Sequence, residues 1–362
     1  MFEWIPLEIY VRTYYQVIGA MVFVVLLESL GSKYKTGNKF RILGFLTLVF
    51  IVLYMGSRPI SGRYFGDMRA YADYFQSYAR GTPVTSAVDI LFHLFTAFAS
   101  KVMTIEAYFM VCAFLYVVPL YLVCKKWFGL YWFYGFLFVV GAFSFWAYGT
   151  NGIRNGIAGS FFLMALSREK RLWQVVWIIA AVNFHKSMIL PTGGFILANF
   201  YNRPERVVLI WILCIPFSLI AGGFFEGFFA GLGFDDERIA YLTEENIHGD
   251  VFAYTGFRWD FLMYSATAVF AGWYYIIKKG YKDKVYFWLF NTYVFANAFW
   301  VLVIRANFSN RFAYLSWFMI GLVIIYPLLR VKIIDKQFQK IGLILLFYYA
   351  FTYLMNVILP QV

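Results

Sequence analysis

Five cations and a histidine stand where helix electrostatics disfavours positive charge. Arg154 follows Asn151-Gly152-Ile153 at the head of an apolar run, Lys186 follows His185 and precedes Ser187, Arg258 follows Thr255-Gly256-Phe257, and Arg311 follows Ser309-Asn310, with Arg305 a little upstream. A helix N-terminus already carries a partial positive charge, so a cation in its first turn is mildly unfavourable. The same unsatisfied N–H groups joined to arginine forks make a strong phosphate site. The chemistry this placement suggests is the grip of an anion, a phosphate or a diphosphate. The competing reading pairs each cation with a carboxylate or a lipid headgroup, and for Arg258 the acid two residues on, Asp260, is a ready partner.

A second group offers hydroxyls and a carboxylate. Asp67, Tyr71, Tyr74 and Tyr78 recur at helical spacing and fall on one face. Such a face suits a polyhydroxyl ligand, with rings against sugar C–H groups and the carboxylate accepting from hydroxyls; it equally suits tyrosines anchored at a membrane interface. Asp67 and His185 are the candidates for a general base, His185 by its solution pKa and Asp67 by its place on a segment able to meet an acceptor. His185 also reads as an interface cap. Asp89 and His93 lie one turn apart in a short apolar run, where a histidine is ordinarily satisfied structurally. Glu226, Asp235, Asp236, Glu237, Glu244, Glu245 and Asp250 make an acidic stretch without EF-hand spacing, read as a mobile cover rather than a metal site; no metal and no cofactor is expected.

The elements that position these residues belong to a membrane. Of the 362 residues 62% are hydrophobic and 14% charged, against roughly half and about a quarter in a soluble domain. One globule in water has no way to hide that much apolar surface, so lipid is the expected solvent. The 43 Phe, 29 Tyr and 12 Trp add rings suited to bilayer interfaces. A net charge of +12 would suggest nucleic acid in a soluble chain, but here its distribution along the chain decides, and no nucleic-acid partner is expected. Cys112, Cys124 and Cys214 all sit in apolar runs and fit neither a disulfide framework nor a zinc site. The acidic opening MFEWIPLEIY lacks the basic start of a cleavable signal peptide.

Apolar runs long enough to cross, at about 20 residues or somewhat fewer, predict an all-α polytopic membrane protein of about twelve helices in a single transmembrane domain, 1–362. They fall near 10–28, 42–56, 106–124, 131–149, 153–167, 172–184, 187–200, 207–224, 260–277, 285–304, 312–329 and 341–358, the pair around His185 also reading as one bent helix. Alternate connections are basic and hold 19 of the 31 Lys and Arg (Lys33, Lys35, Lys39 and Arg41 among them), which makes them cytoplasmic by the positive-inside rule. Fourteen of the 19 carboxylates then fall outside, in agreement. Both termini lie outside in this reading, with a first outer loop at 57–105 that holds short interfacial or re-entrant helices, and a second at 225–260 as the cover. Function is expected on the outer face.

Three patches resemble the EpsG-like and Wzy-type bacterial polysaccharide polymerases. They are Gly66-Asp67 with Tyr71 and Phe75; Gly152-Ile153-Arg154-Asn155-Gly156-Ile157-Ala158, with Asn155 where Gln is usual; and Phe184-His185-Lys186-Ser187. Asn310-Arg311-Phe312 resembles a late Asn/Ser-Arg element, so order and spacing extend over roughly 50–320. The resemblance implies a GT-C-like multi-spanning glycosyltransferase of the bacterial inner (plasma) membrane with an outer-face cavity. It would join undecaprenyl-diphosphate-linked repeat units into O-antigen, capsule or exopolysaccharide, with a chain-length regulator as a protein partner. On that reading Arg154, Lys186, Arg305 and Arg311 hold the diphosphate without metal, Asp67 or His185 is the base, Asp67 ranking narrowly first, and Tyr71 and Tyr74 contact sugar. A flippase for the same lipid would want charges at mid-span and paired halves, neither of which is evident. An O-antigen ligase uses a similar donor and is poorly separated by sequence; an acyltransferase lacks its His-Asp or Arg-His motif here.

Overall fold

The computed structural model describes residues 2, 4–31, 40–201, 203–231, 256–306 and 309–359. The protein is 82% helical, with no strand among the described residues, as expected where lipid offers open backbone no partner. Among the described residues six stretches are long and apolar enough to cross a membrane: Leu7–Gly31, Ile105–Val140, Pro204–Phe228, Lys284–Leu302, Asn310–Arg330 and Gln337–Ile358. Arg41–Gly56, Ile90–Val102, Ile153–Leu166 and Arg171–Phe184 are apolar but shorter. A helix of that length reaches only about 20–24 Å, less than the roughly 30 Å hydrocarbon core, which is why fewer spans qualify than the sequence suggests. Lys33, Lys35, Lys39, Asn307 and the acidic residues from Asp235 to Asp250 of the expected cover lie outside the described residues.

By internal packing the chain divides into two units, Met1–Met188 with Leu328–Pro360, and Ile189–Pro327 with Gln361–Val362. The first holds α1 (Leu7–Gly31), α2 (Arg41–Gly56), α3 (Gly62–Phe65), α4 (Met68–Ala79), α5 (Ile90–Val102), α6 (Ile105–Phe128), α7 (Trp132–Val140), α8 (Phe145–Thr150), α9 (Ile153–Leu166) and α10 (Arg171–Phe184). At its centre α9 packs on α6 and α10, and every α9 residue except Arg154 is buried. Tyr10 and Tyr54 clasp α1 to α2: each phenol donates to the other's backbone carbonyl at 2.8 Å, with the rings stacked 4.3 Å apart.

The expected span 131–149 is not one helix. It breaks between Val140 and Phe145, in a Gly-Ala-Phe-Ser stretch whose hydropathy looks continuous. Broken backbone survives at membrane depth only where protein groups satisfy it. Here Tyr14 donates to Val140 O at 2.7 Å, Tyr116 to Phe145 O at 3.0 Å, and Thr352 to Gly141 O at 2.9 Å. Residues 57–105 hold three short helices, α3 to α5. Around His185 the chain forms two helices rather than one bent rod, because His185 itself is extended, at φ −153°, ψ 117°.

The second unit holds α11 (Ile189–Phe200), α12 (Pro204–Gly231), α13 (Trp259–Trp273), α14 (Lys284–Leu302), α15 (Asn310–Trp317) and α16 (Ile320–Arg330) up to Pro327. The expected span 312–329 is interrupted between α15 and α16, where Met319 N–H turns back onto Ser316 O at 3.0 Å. Asn297 joins four of these helices. Its Oδ1 accepts from Trp211 Nε1 at 2.8 Å, and its Nδ2 donates to Ser265 and Ser316 hydroxyls at 3.2 and 2.9 Å. Asn297→Leu strands the buried Trp211 donor, at a cost of about 1–3 kcal/mol. The expected result is a lower melting temperature in detergent; an unchanged one would show that the network adds nothing to stability.

Candidate active site

The site begins with a turn only glycine accepts. Gly66 has φ 54° and ψ −121°, and a Cβ there would come 2.3 Å from Asn151 Oδ1. That amide oxygen accepts the Asp67 N–H at 2.8 Å, so the turn ahead of α4 is tied to the residue three before Arg154. A second tie is Arg58, which donates to Met55 O and, at 3.3 Å, to Thr150 O. Both carbonyls close helices, where the dipole favours a cation. Arg58 is 4% exposed and also faces the Phe65 and Phe109 rings, at 5.8 and 5.5 Å. Burial pulls its pKa down to about 10, which leaves it cationic at neutral pH.

From Asp67 the chain enters α4. Asp67 is exposed and its side chain caps nothing. Much of the predicted tyrosine face is packed: Tyr71 and Tyr78 are buried with Met68, Ala72 and Phe75, and Tyr74 is at the margin of exposure. A helix packed on one side in a membrane-bound protein buries its most aromatic face. Tyr71 lies under the Arg154 guanidinium at 5.9 Å, with Phe92 at 5.8 Å. Tyr78 is hydrogen-bonded to His93 at 2.8 Å, and Tyr74 meets the same imidazole edge-on at 5.3 Å, so His93 has the structural satisfaction expected of it.

Asp89 is the residue that joins these pieces. It precedes α5 with φ 53°, a left-handed conformation, and its side chain is 2% exposed. Its Oδ2 accepts from Arg154 Nη1 at 2.9 Å and lies 3.5 Å from His185 Nδ1; its Oδ1 accepts the Lys186 N–H at 2.8 Å. Burial pushes the Asp89 carboxyl pKa up, but hydrogen bonding and charge from His185, the Lys186 N–H and the Arg154 guanidinium outweigh it and hold the pKa below the ordinary value. The carboxylate therefore stays ionised at neutral pH. The structure thus brings Tyr71, Arg154, His185 and Lys186 together around one buried carboxylate, with Asp67 a helical turn from Tyr71.

The remaining cations belong to the second unit. Arg258 is held by Asp260 in a two-pronged pair, Nε–Oδ1 at 2.9 Å and Nη2–Oδ2 at 2.6 Å, and lies 3.7 Å over the Phe261 ring. The pairing reading therefore holds for Arg258. The Arg305 stem approaches Gly222 of α12, and its charge acts on Glu226 one turn further along. Arg311 is the second residue of α15, beside Tyr314. Among the described residues no three His, Cys, Asp or Glu side chains gather as metal ligands.

Two residues escaped the sequence reading. Asp89 drew notice only for its spacing to His93, while its partners lie 65 and 97 positions on. A lone acid opening an apolar helix was the available signal, since such an acid must be paired. Arg58, a single cation just past an apolar run, carried the same signal. Compared with known proteins, the chain matches the model of the EpsG family over residues 41–361. No curated protein and no solved structure matches it.

Proposed function

The chain belongs to the EpsG family, and on that premise we propose that it is a polysaccharide polymerase. In this reading it transfers a growing glycan from an undecaprenyl-diphosphate donor to the terminal sugar of another lipid-linked repeat unit, on the outer face of the bacterial inner membrane. The observation that carries the reading is the convergence of three separated sequence patches, Gly66 to Tyr71, Arg154, and His185-Lys186, on Asp89. Ionisable residues buried in a membrane protein mark functional sites more often than not, and these are gathered from positions up to 97 residues apart.

A sugar diphosphate is already activated, so its departure needs charge stabilisation more than protonation. Arg154 and the Lys186 ammonium supply that charge beside the N-terminus of α9, where preorganised donors act without reorganising. The resemblance of Asn310-Arg311-Phe312 to the family's late Asn/Ser-Arg element keeps Arg311, with Arg305 just before it, as candidates for diphosphate binding, and the reaction is assigned a metal-independent course. Asp89 offsets part of this positive charge, so Arg154 and Lys186 alone fall short of balancing a diphosphate. The base for the acceptor hydroxyl is Asp67 or His185. Tyr74 is the better placed of the two tyrosines for sugar contact, being the more exposed.

Deletion of the gene and analysis of the cell's glycans tests the reading. Loss of the long ladder with a single capped repeat retained is the expected result. Loss of all capping would indicate a ligase, and inward-facing lipid-linked units piling up would indicate a flippase. Arg311→Ala, restored to the deletion strain, is expected to leave chain extension at under about a hundredth of normal with membrane insertion intact. A normal ladder from that variant would remove Arg311 from the diphosphate assignment.

A further inference from the structure

Asp89 is a buried acid held in a left-handed conformation beside a histidine and an arginine. The backbone of Asp89 is at φ 53°, a region asparagine and aspartate tolerate best among non-glycine residues. Both carboxylate oxygens are fixed, Oδ1 by the Lys186 N–H at 2.8 Å and Oδ2 by Arg154 at 2.9 Å. The carboxylate has no freedom to rotate away from His185 Nδ1, 3.5 Å from Oδ2.

We propose that Asp89 is a positioning residue that makes His185, rather than Asp67, the base for the acceptor hydroxyl. This rests on the transferase reading above. A carboxylate facing Nδ1 holds the proton on that nitrogen and leaves proton exchange to Nε2. His185 lies in the connection between α10 and a short turn, with its side chain 10% exposed, so its ring is confined by what it touches. Asp67, by contrast, is exposed at the start of α4, where its side chain makes no capping bond. Preorganisation favours the oriented group.

The step balances simply. The acceptor oxygen forms a bond to the anomeric carbon, and the bond from that carbon to the diphosphate oxygen breaks with its electron pair. The hydroxyl proton passes to His185 Nε2 and later to solvent. The charged and titratable groups around the imidazole are Asp89 ahead of α5, Arg154 on α9 and Lys186 beside it in the chain, with Tyr71 of α4 against Arg154 and His93 of α5 within electrostatic reach of Arg154 and Asp89.

The test uses the full-length protein in detergent with a synthetic polyprenyl-diphosphate-linked repeat unit as donor and acceptor. Asp89→Asn suits it because asparagine also accepts a left-handed backbone and still offers an oxygen to the Lys186 N–H. The expected result is kcat down about a hundredfold, KM within about twofold, and the acid limb of the rate profile moved to lower pH, since the imidazolium loses its counter-charge. In a His185→Gln background the same change is expected to cost less than about threefold, because residues acting as a unit are non-additive. An equal loss in both backgrounds with an unmoved acid limb would overturn the assignment and make Asp89 a structural counter-ion. Should Asp89→Asn not fold, His185→Gln and Asp67→Asn decide: loss of the acid limb in Asp67→Asn but not in His185→Gln overturns it. A wild-type protein that transfers no sugar overturns the transferase reading and this assignment together, whereas active wild type with either contrary result overturns the assignment alone.

Discussion

Arg154→Ala is expected to lower glycan transfer by about a thousandfold and to destabilise the protein as well. Two separate causes act. The guanidinium that would stabilise the departing diphosphate is gone, and Asp89 loses the partner 2.9 Å from its Oδ2 in a site where its side chain is only 2% exposed. Breaking a buried pair from one side costs about 3–5 kcal/mol, because it leaves an uncompensated charge. The causes separate in the double variant Arg154→Ala with Asp89→Asn, which has no orphaned carboxylate. Its melting temperature is expected to recover most of the loss. Its transfer rate is expected to remain at least about tenfold below that of Asp89→Asn alone, the cation's own share of leaving-group stabilisation. Equal rates in those two variants, measured on the same lipid-linked donor, would reduce Arg154 to a counter-ion and remove it from the diphosphate site.

Gly66→Val is expected to be the most damaging single change outside the charged cluster. A Cβ at this position would lie 2.3 Å from Asn151 Oδ1, and the backbone at φ 54°, ψ −121° is closed to any residue that carries one. Strain of this kind costs on the order of 1–3 kcal/mol, and the clash adds to it. Relief requires the turn to swing away from Asn151, which breaks the bond from the Asp67 N–H and moves the start of α4. Gly81 supplies the control: it also has positive φ, at 93°, but nothing lies within 4 Å of the place a methyl group would occupy. Gly81→Ala should therefore show conformational strain alone and keep near-normal transfer, while Gly66→Val loses both yield and transfer. Comparable losses in the two would mean that the approach to Asn151 has no bearing on the site.

Much of this was legible in the sequence, and the parts that were not share a physical cause. Composition reports the solvent, so an all-helical membrane protein follows from apolar runs alone. The cations at helix starts were visible because position along a helix has an electrostatic meaning. The inward turn of Tyr71 and Tyr78 was not, since periodicity defines a face without saying which side packs, and tyrosine suits both core and interface. The break after Val140 was hidden because hydropathy sees side chains, whereas the break depends on hydroxyls from Tyr14, Tyr116 and Thr352 reaching carbonyls far along the chain. Asp89 was missed for the same reason: its meaning lies in Arg154 and His185, and no local window holds all three.

The paired tyrosines of α1 and α2 carry an implication for descent. Each hydroxyl caps the other's backbone carbonyl, so a lineage that loses one phenol gives up that bond and the ring stack but keeps the other bond. Tyr10 and Tyr54 can therefore be replaced one at a time, with α1 still closed on α2 by the hydroxyl that remains. Since the family match begins at residue 41, Tyr54 lies inside the shared stretch and Tyr10 outside it. Relatives that retain the inner tyrosine are expected to keep a preceding helix that offers it a backbone carbonyl, whatever side chain that helix carries there.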